Sequence, residues 1–209
     1  DGVGSVSVDT IGSGSTYYIT GTVAEISSLP ASLLEVGFFV NDTVANIVAA
    51  PASIMESDYL EGTVVTDTYA HIAAAELMIT GVATEVHVID SITTAELATL
   101  QGLALNLYSV EELTGNATEL AAATYSTISF DTVNVTNDTV SDAQVDAIVA
   151  KGATLSTMVY NYSDTLANTF TVNALTASLV VSQAQSVTIT GNLNVTQAGA
   201  AYTANENLT

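Results

Sequence analysis

Residues 64–81, VVTDTYAHIAAAELMITG, hold the pattern that decides the fold. A β-branched run leading to Thr66 reads as the end of a strand. Asp67 and Thr68 supply a helix cap, and the alanine-rich residues after them favour helix to about Glu76. Gly81 then closes the segment before the next β-branched run begins. The expectation is one β–α segment: strand, cap, short helix, next strand.

The same order returns along the chain. GFFVNDTVANIVAA places Asp42 in the turn, TVVTDTYAHIAAA places Asp67 there and EVHVIDSITTAELATL places Asp90 there. YSVEELTGNATELAAA gives Gly115, VNVTNDTVSDAQVDAIVA gives Asp138, MVYNYSDTLANTF gives Asp164 and SVTITGNLNVTQAGAAY gives Gly191. Successive turns are 25, 23, 25, 23, 26 and 27 residues apart. YYITGTVAEISSL, with Gly21, fits as an earlier member. A period near 25 residues over this many units is the signature of a repeat architecture. Residues 63–66, 85–89, 132–136 and 186–190 alternate as strands do, and capping boxes are spelled by Thr22 with Glu25, Thr93 with Glu96 and Ser141 with Gln144. Asn116 with Glu119 is a looser variant. Residues 166–182 read poorly as helix and suit a pair of strands.

The fold expected is α/β or mainly β: a solenoid-like stack of strand–turn–short-helix repeats with a parallel sheet, strands about 4.8 Å apart. An ordinary α/β domain with one open parallel sheet is the alternative. Residues 1–18 are Gly/Ser-rich and read as an N-terminal arm or added edge strand, and residues 19–209 as one repeat-stack domain.

Composition narrows the function. Among 209 residues stand 22 acids and one basic side chain, Lys151, for a net charge of −21. Phosphate binding needs clusters of Lys or Arg, so nucleic acid and anionic membrane are not partners. An apolar share of 48% argues for a folded chain rather than an acidic tail. No apolar run reaches the ~20 residues that span a bilayer, so no membrane insertion is expected. Without cysteine there are no disulfides and no thiolate metal sites. A start at Asp1 without a charged-then-apolar leader suits a processed product or an excised piece. One Lys and no Arg leave trypsin-like proteases almost nothing to cut, which suits life outside the cell.

The phrases NDTVANIVAA, SDTLANTF, ITGVATE, LTGNATELAAA and ITGNLNVTQAGAAY resemble the degenerate β–α repeats of very large secreted bacterial surface proteins and adhesins. In such arrays an "sDT-aN" or "-TG-a-E" turn introduces a small-residue helix. The resemblance covers most of residues 40–202 and implies an extracellular, cell-surface, structural or adhesive array without catalytic residues. The chain departs from the pattern in lacking the glycine–aspartate nonapeptides that bind calcium in many of those proteins.

The aspartates Asp42, Asp67, Asp90, Asp138 and Asp164 are the sharpest constellation. Stacked in register 5 Å apart, two such charges would repel by about 0.8 kcal/mol in water and about 3 kcal/mol at an effective dielectric of 20. A Ca²⁺ ion would relieve that row, since it takes carboxylate and carbonyl oxygens. The competing role, favoured by glycines at the equivalent turns, is that each Asp caps the helix that follows it. Seven Asn-x-Ser/Thr sequons, at Asn41, Asn116, Asn134, Asn137, Asn161, Asn194 and Asn207, mark candidate sites for glycan attachment. His71, on a helix beside alanines, and His87, alternating in a strand, lack a third ligand for zinc. No nucleophile elbow or phosphate loop occurs, and a carboxylate-pair glycosidase would want Arg, Lys or aromatic platforms to hold its sugar. The expectation is therefore not an enzyme but an extracellular structural protein that assembles with copies of itself into a filament, sheath or surface layer. A stalk or binding module of a large secreted adhesin is the alternative.

Overall fold

Buried and more exposed residues alternate along residues 38–42 and 63–67, and short helices follow most of the strands. The computed structural model describes residues 7–11, 16–103, 105–125, 128–137, 139–165 and 182–191, with residues 196, 199 and 202 singly. The expected strand pair at 166–182, apart from Ser182, lies outside these. The elements run β1 (Ser7–Ile11), β2 (Thr16–Gly21), α1 (Val23–Ser28), α2 (Ala31–Leu34), β3 (Phe38–Asp42), α3 (Val44–Val48), α4 (Ala52–Met55) and β4 (Leu60–Asp67). Then come α5 (Tyr69–Ala74), α6 (Glu76–Ile79), β5 (Glu85–Thr93), α7 (Thr94–Gly102), β6 (Leu107–Gly115), α8 (Ala117–Ala122), β7 (Ser129–Val135) and α9 (Asp142–Val149). The strands β8 (Met158–Val159), β9 (Asn161–Thr165) and β10 (Ser186–Thr190) follow.

The class is α/β. Strands β1 to β8 are hydrogen-bonded in chain order, β2 to β8 forming a seven-stranded parallel sheet, and β9 pairs with β10 in a two-stranded one. The pairing β1–β2 is antiparallel, with Ser7 opposite Thr20 and Ile11 opposite Thr16. Strand β1 stands at one edge of the sheet. Parallel neighbours need a crossover between them, and the short helices supply it.

Contacts divide the chain into two compact units, residues 1–90 with 99–109 and residues 91–98 with 110–209. In the first, Phe38, Val40, Val65, Val86 and Val88 face inward from the strands, and Ile26, Ile47, Ile54, Ile72 and Ile79 meet them from the helices, all buried. In the second, Val110, Leu113, Val133, Val135, Tyr162 and Val187 come from strands and Leu120, Val145 and Ile148 from helices. The helices are too short to be stable alone, so each owes its existence to this apolar stripe. Val145 and Ile148 are three residues apart, as are Ala117 and Leu120, which puts each pair on one helix face.

The other sheet face is polar and carries side-chain bonds from strand to strand. Thr66 Oγ1 donates to Asn41 Oδ1 at 2.9 Å, and Ser186 Oγ donates to Asn161 Oδ1 at 2.7 Å. His87 Nδ1 lies 2.7 Å from Ser109 Oγ, and Asn134 Nδ2 donates to Glu112 Oε1 at 3.0 Å. These pairs lie 22 to 25 residues apart in sequence, one β–α segment each.

Candidate functional site

Every described aspartate of the expected ladder caps the helix before it, and Asp42 and Asp67 also hold the start of the helix after them, as the sequence suggests. Asp42 Oδ2 accepts from the Val23 N–H at 2.9 Å, at the start of α1. Asp67 Oδ2 accepts from the Val44 N–H at 3.0 Å, at the start of α3. Asp90 Oδ1 takes the Tyr69 N–H of α5 at 2.9 Å, and Asp164 Oδ2 the Asp142 N–H of α9 at 3.1 Å. Asn137 performs the same task with a neutral oxygen, accepting from the Ala117 N–H of α8 at 2.6 Å. In each case the first N–H of a helix, which has no partner inside that helix, is satisfied by a side chain from the following β–α segment. Asp138 lies outside the described residues.

The reason is the pleat. Asp42 shares the inward face with Phe38 and Val40, and Asp67 shares it with Val65, so these carboxylates are buried, at 8% and 6% exposure. A buried carboxylate must find donors or lose its charge. The helix starting points are where unpaired N–H groups and positive dipole ends lie. An acid at an inward position of an otherwise apolar alternation was the signal in the sequence. Its direction was not.

The helices α1, α3, α5, α7, α8 and α9 are also capped by their own turns, in one of two ways. Where Asp precedes the cap residue, the Asp itself takes the cap residue's N–H: Thr43 N–H donates to Asp42 Oδ1 at 2.8 Å, and Thr68 N–H to Asp67 Oδ1 at 2.8 Å. The residue three beyond the cap is then a donor to the same oxygen. Asn46 Nδ2 donates to Asp42 Oδ1 at 2.7 Å, and His71 Nδ1 sits 2.7 Å from Asp67 Oδ1. Where Gly, Ile or Val precedes the cap, the third residue is Glu or Gln and reaches back. Glu25 Oε2 accepts from the Thr22 N–H at 2.8 Å, Glu96 Oε2 from the Thr93 N–H at 2.7 Å, Glu119 Oε2 from the Asn116 N–H at 3.0 Å and Gln144 Oε1 from the Ser141 N–H at 2.9 Å. The phrases DTVAN and GTVAE are thus two solutions of one hydrogen-bonding problem. A Cβ on Gly21 would come within 3.2 Å of Glu25 Oε2, so the glycine leaves room for the returning carboxylate.

This places the turn of two segments differently from the sequence alignment. Strand β5 runs on past Asp90 to Thr93, and α9 is capped by Ser141. The capping boxes mark those helix starts, whereas the Asp positions do not.

Asp67 shows the electrostatics. Burial by itself raises its pKa, but the His71 hydrogen bond, the Thr68 and Val44 N–H groups and the His71 charge outweigh it, holding the carboxyl below its ordinary 3.8. A carboxylate only accepts, so His71 carries its proton on Nδ1 here. Asp42 lies opposite Val65 and Asp67 opposite Val88, so the next aspartate stands two residues further along its strand. Sheet geometry then separates neighbouring aspartates by about 8 Å rather than 5 Å. Their repulsion falls to about 2 kcal/mol at a dielectric of 20, and the intervening helix N-termini oppose it.

Three N–H donors occupy the oxygens of Asp42 and of Asp67. Among the described residues no group of three or more His, Asp or Glu side chains is placed to bind a metal. His87 has Glu85 Oε2 at 3.5 Å from its Nε2 and Tyr108 against its ring. Of the sequons, Asn41 is exposed on the polar face, Asn116 caps its own helix and Asn137 caps α8. Asn134 donates to Glu112 and Asn161 accepts from Ser186, while Asn194 and Asn207 lie outside the described residues. Among the described residues no helix is long and apolar enough to cross a membrane.

The site that emerges is a lattice of caps, and the class it defines is an α/β protein whose parallel strands secure the helices of their predecessors. The chain matches no protein-family model, and no curated protein or solved structure is significantly similar to it.

Proposed function

We propose that this chain is an extracellular structural protein whose β–α segments form a solenoid-like repeat stack and assemble with copies of the chain into a surface filament, sheath or surface layer. The observation that carries the reading is the cap that crosses from one segment to the next. The helices α1, α3, α5, α8 and α9 are each completed by a side chain of the following segment, so stability accrues by adding segments. Burial on one sheet face and a polar ladder on the other suit a single-layered stack. Strand β1 ends the described sheet and offers backbone groups for strand addition. No step of this role needs a catalytic side chain, a nucleic acid or a membrane.

Negative-stain electron microscopy with sedimentation, before and after EDTA, tests it. Regular filaments or lattices that persist in EDTA are expected, because the aspartate oxygens are engaged by N–H groups. A chain that stays monomeric at high concentration, with and without Ca²⁺, overturns the assembly reading. The second reading, a stalk or binding module of a large secreted adhesin, is favoured by one feature: large apolar side chains left exposed on the helices of the first compact unit.

A further inference from the structure

Three helices of the first compact unit leave uncovered a groove of mixed polarity, with aliphatic side chains along its walls. Val48 of α3, Met55 of α4, Met78 of α6 and Val82 line it above the buried Ile47, with Glu56 at its lip, around a volume of about 270 Å³. Met78 is 62% exposed and Leu77 beside it 90% exposed. Met78 and Leu77 are the most exposed aliphatic side chains among the described residues, and Met is a side chain that reshapes to fit what it meets.

We propose that this groove docks an amphipathic segment of a separate, basic protein, with apolar side chains seated on Met78 and Val48 and Lys or Arg flanking them. Charge complementarity selects the occupant. A second copy would bring another net charge of −21 and only one basic side chain, Lys151, to meet the Glu56 lip. A cationic segment gains from the field of the whole molecule on approach and from the groove on seating. The proposal is independent of self-assembly.

The test uses the full chain and two labelled synthetic peptides of equal charge, one of leucine and lysine in an amphipathic helical pattern, the other of serine and lysine. Binding is followed by fluorescence anisotropy at near-physiological salt. The variants are Met78→Asp and, as a control of equal charge, Ile89→Asp, at an exposed position on β5. Met78→Gln serves as a second groove variant, and circular dichroism confirms that each is folded. The groove predicts that Met78→Asp weakens the leucine–lysine peptide by about tenfold although it adds a negative charge, and that Ile89→Asp does not. The serine–lysine peptide should bind about tenfold more weakly than the leucine–lysine one. Charge attraction alone predicts the opposite sign for Met78→Asp, so equal or tighter binding by that variant overturns the proposal. Equal binding of both peptides, or no binding, overturns it as well. So does self-association in sedimentation that Met78→Asp abolishes, for the occupant is then a second copy.

Discussion

Removing Asp67 tests the cap that crosses between segments most directly. Asp67→Ala takes an acceptor from three donors, the Val44 and Thr68 N–H groups and His71 Nδ1. They do not weigh equally. His71 is 69% exposed and turns to water at little cost. The Thr68 N–H, half-buried, is partly rehydrated. Val44 is 7% exposed, so its N–H is left without a partner, which costs about 1–3 kcal/mol. With the loss of the charge-assisted bond at Thr68, the total comes to about 3 kcal/mol. For a chain of this size that lowers the melting temperature by about 6–12 °C. Asp90→Ala removes one bond to a half-buried N–H and should cost about 1 kcal/mol. Guanidinium unfolding gives both values, and amide hydrogen exchange should show Val44 losing protection in Asp67→Ala alone. Acid adds a second signature. The folded pKa of Asp67 lies below its unfolded value near 3.8, so below that value the unfolded chain takes up the proton first. The contribution is whole above about pH 4 and fades as pH falls through the folded pKa. The variant should therefore have a flatter acid limb. A loss within 0.5 kcal/mol of zero, or the same loss for both variants with Val44 still protected, would refute the reasoning.

Further predictions rest on other residues. His71→Glu replaces a donor to Asp67 with a second carboxylate, and should cost about 1–2 kcal/mol at neutral pH, less at high salt, by chemical denaturation. Thr63 is 1% exposed and its Oγ1 has no partner among the described residues, so Thr63→Val should raise stability by about 1 kcal/mol in the same assay. Burial pushes Tyr125 up to about 12, above its ordinary 10, where its hydroxyl donates to the Leu120 carbonyl at 2.7 Å. Its stabilising effect is whole below pH 10 and is lost as pH rises from 10 to about 12; tyrosinate absorbance at that residue should appear only with unfolding, and Tyr125→Phe should unfold at higher pH.

How much of this could be read beforehand differs from residue to residue. Glu25, Glu96, Glu119 and Gln144 reach back three residues to their caps, a contact that chain geometry all but imposes once a helix starts. The helix starts at Thr22, Thr93, Asn116 and Ser141 were legible for that reason. So were the strands, since β-branched alternation states which side chains turn inward. Asp42 and Asp67 were visible as exceptional residues, yet their hydrogen bonds span 19 and 23 residues. Which helix they serve depends on the strand register, Asp42 against Val65 and Asp67 against Val88, and that register is decided by the packing of whole segments.

The sequence by itself therefore determined the alternation of strand and short helix, the local caps and the acidic, cysteine-free surface, because each arises from neighbours a few residues apart or from composition. Tertiary structure alone decided that the aspartates face backward, that β1 closes the sheet edge in the opposite direction, and that Met78 stays uncovered. Each of those outcomes depends on which groups the folded chain leaves without a partner, and that is known only once distant segments have met.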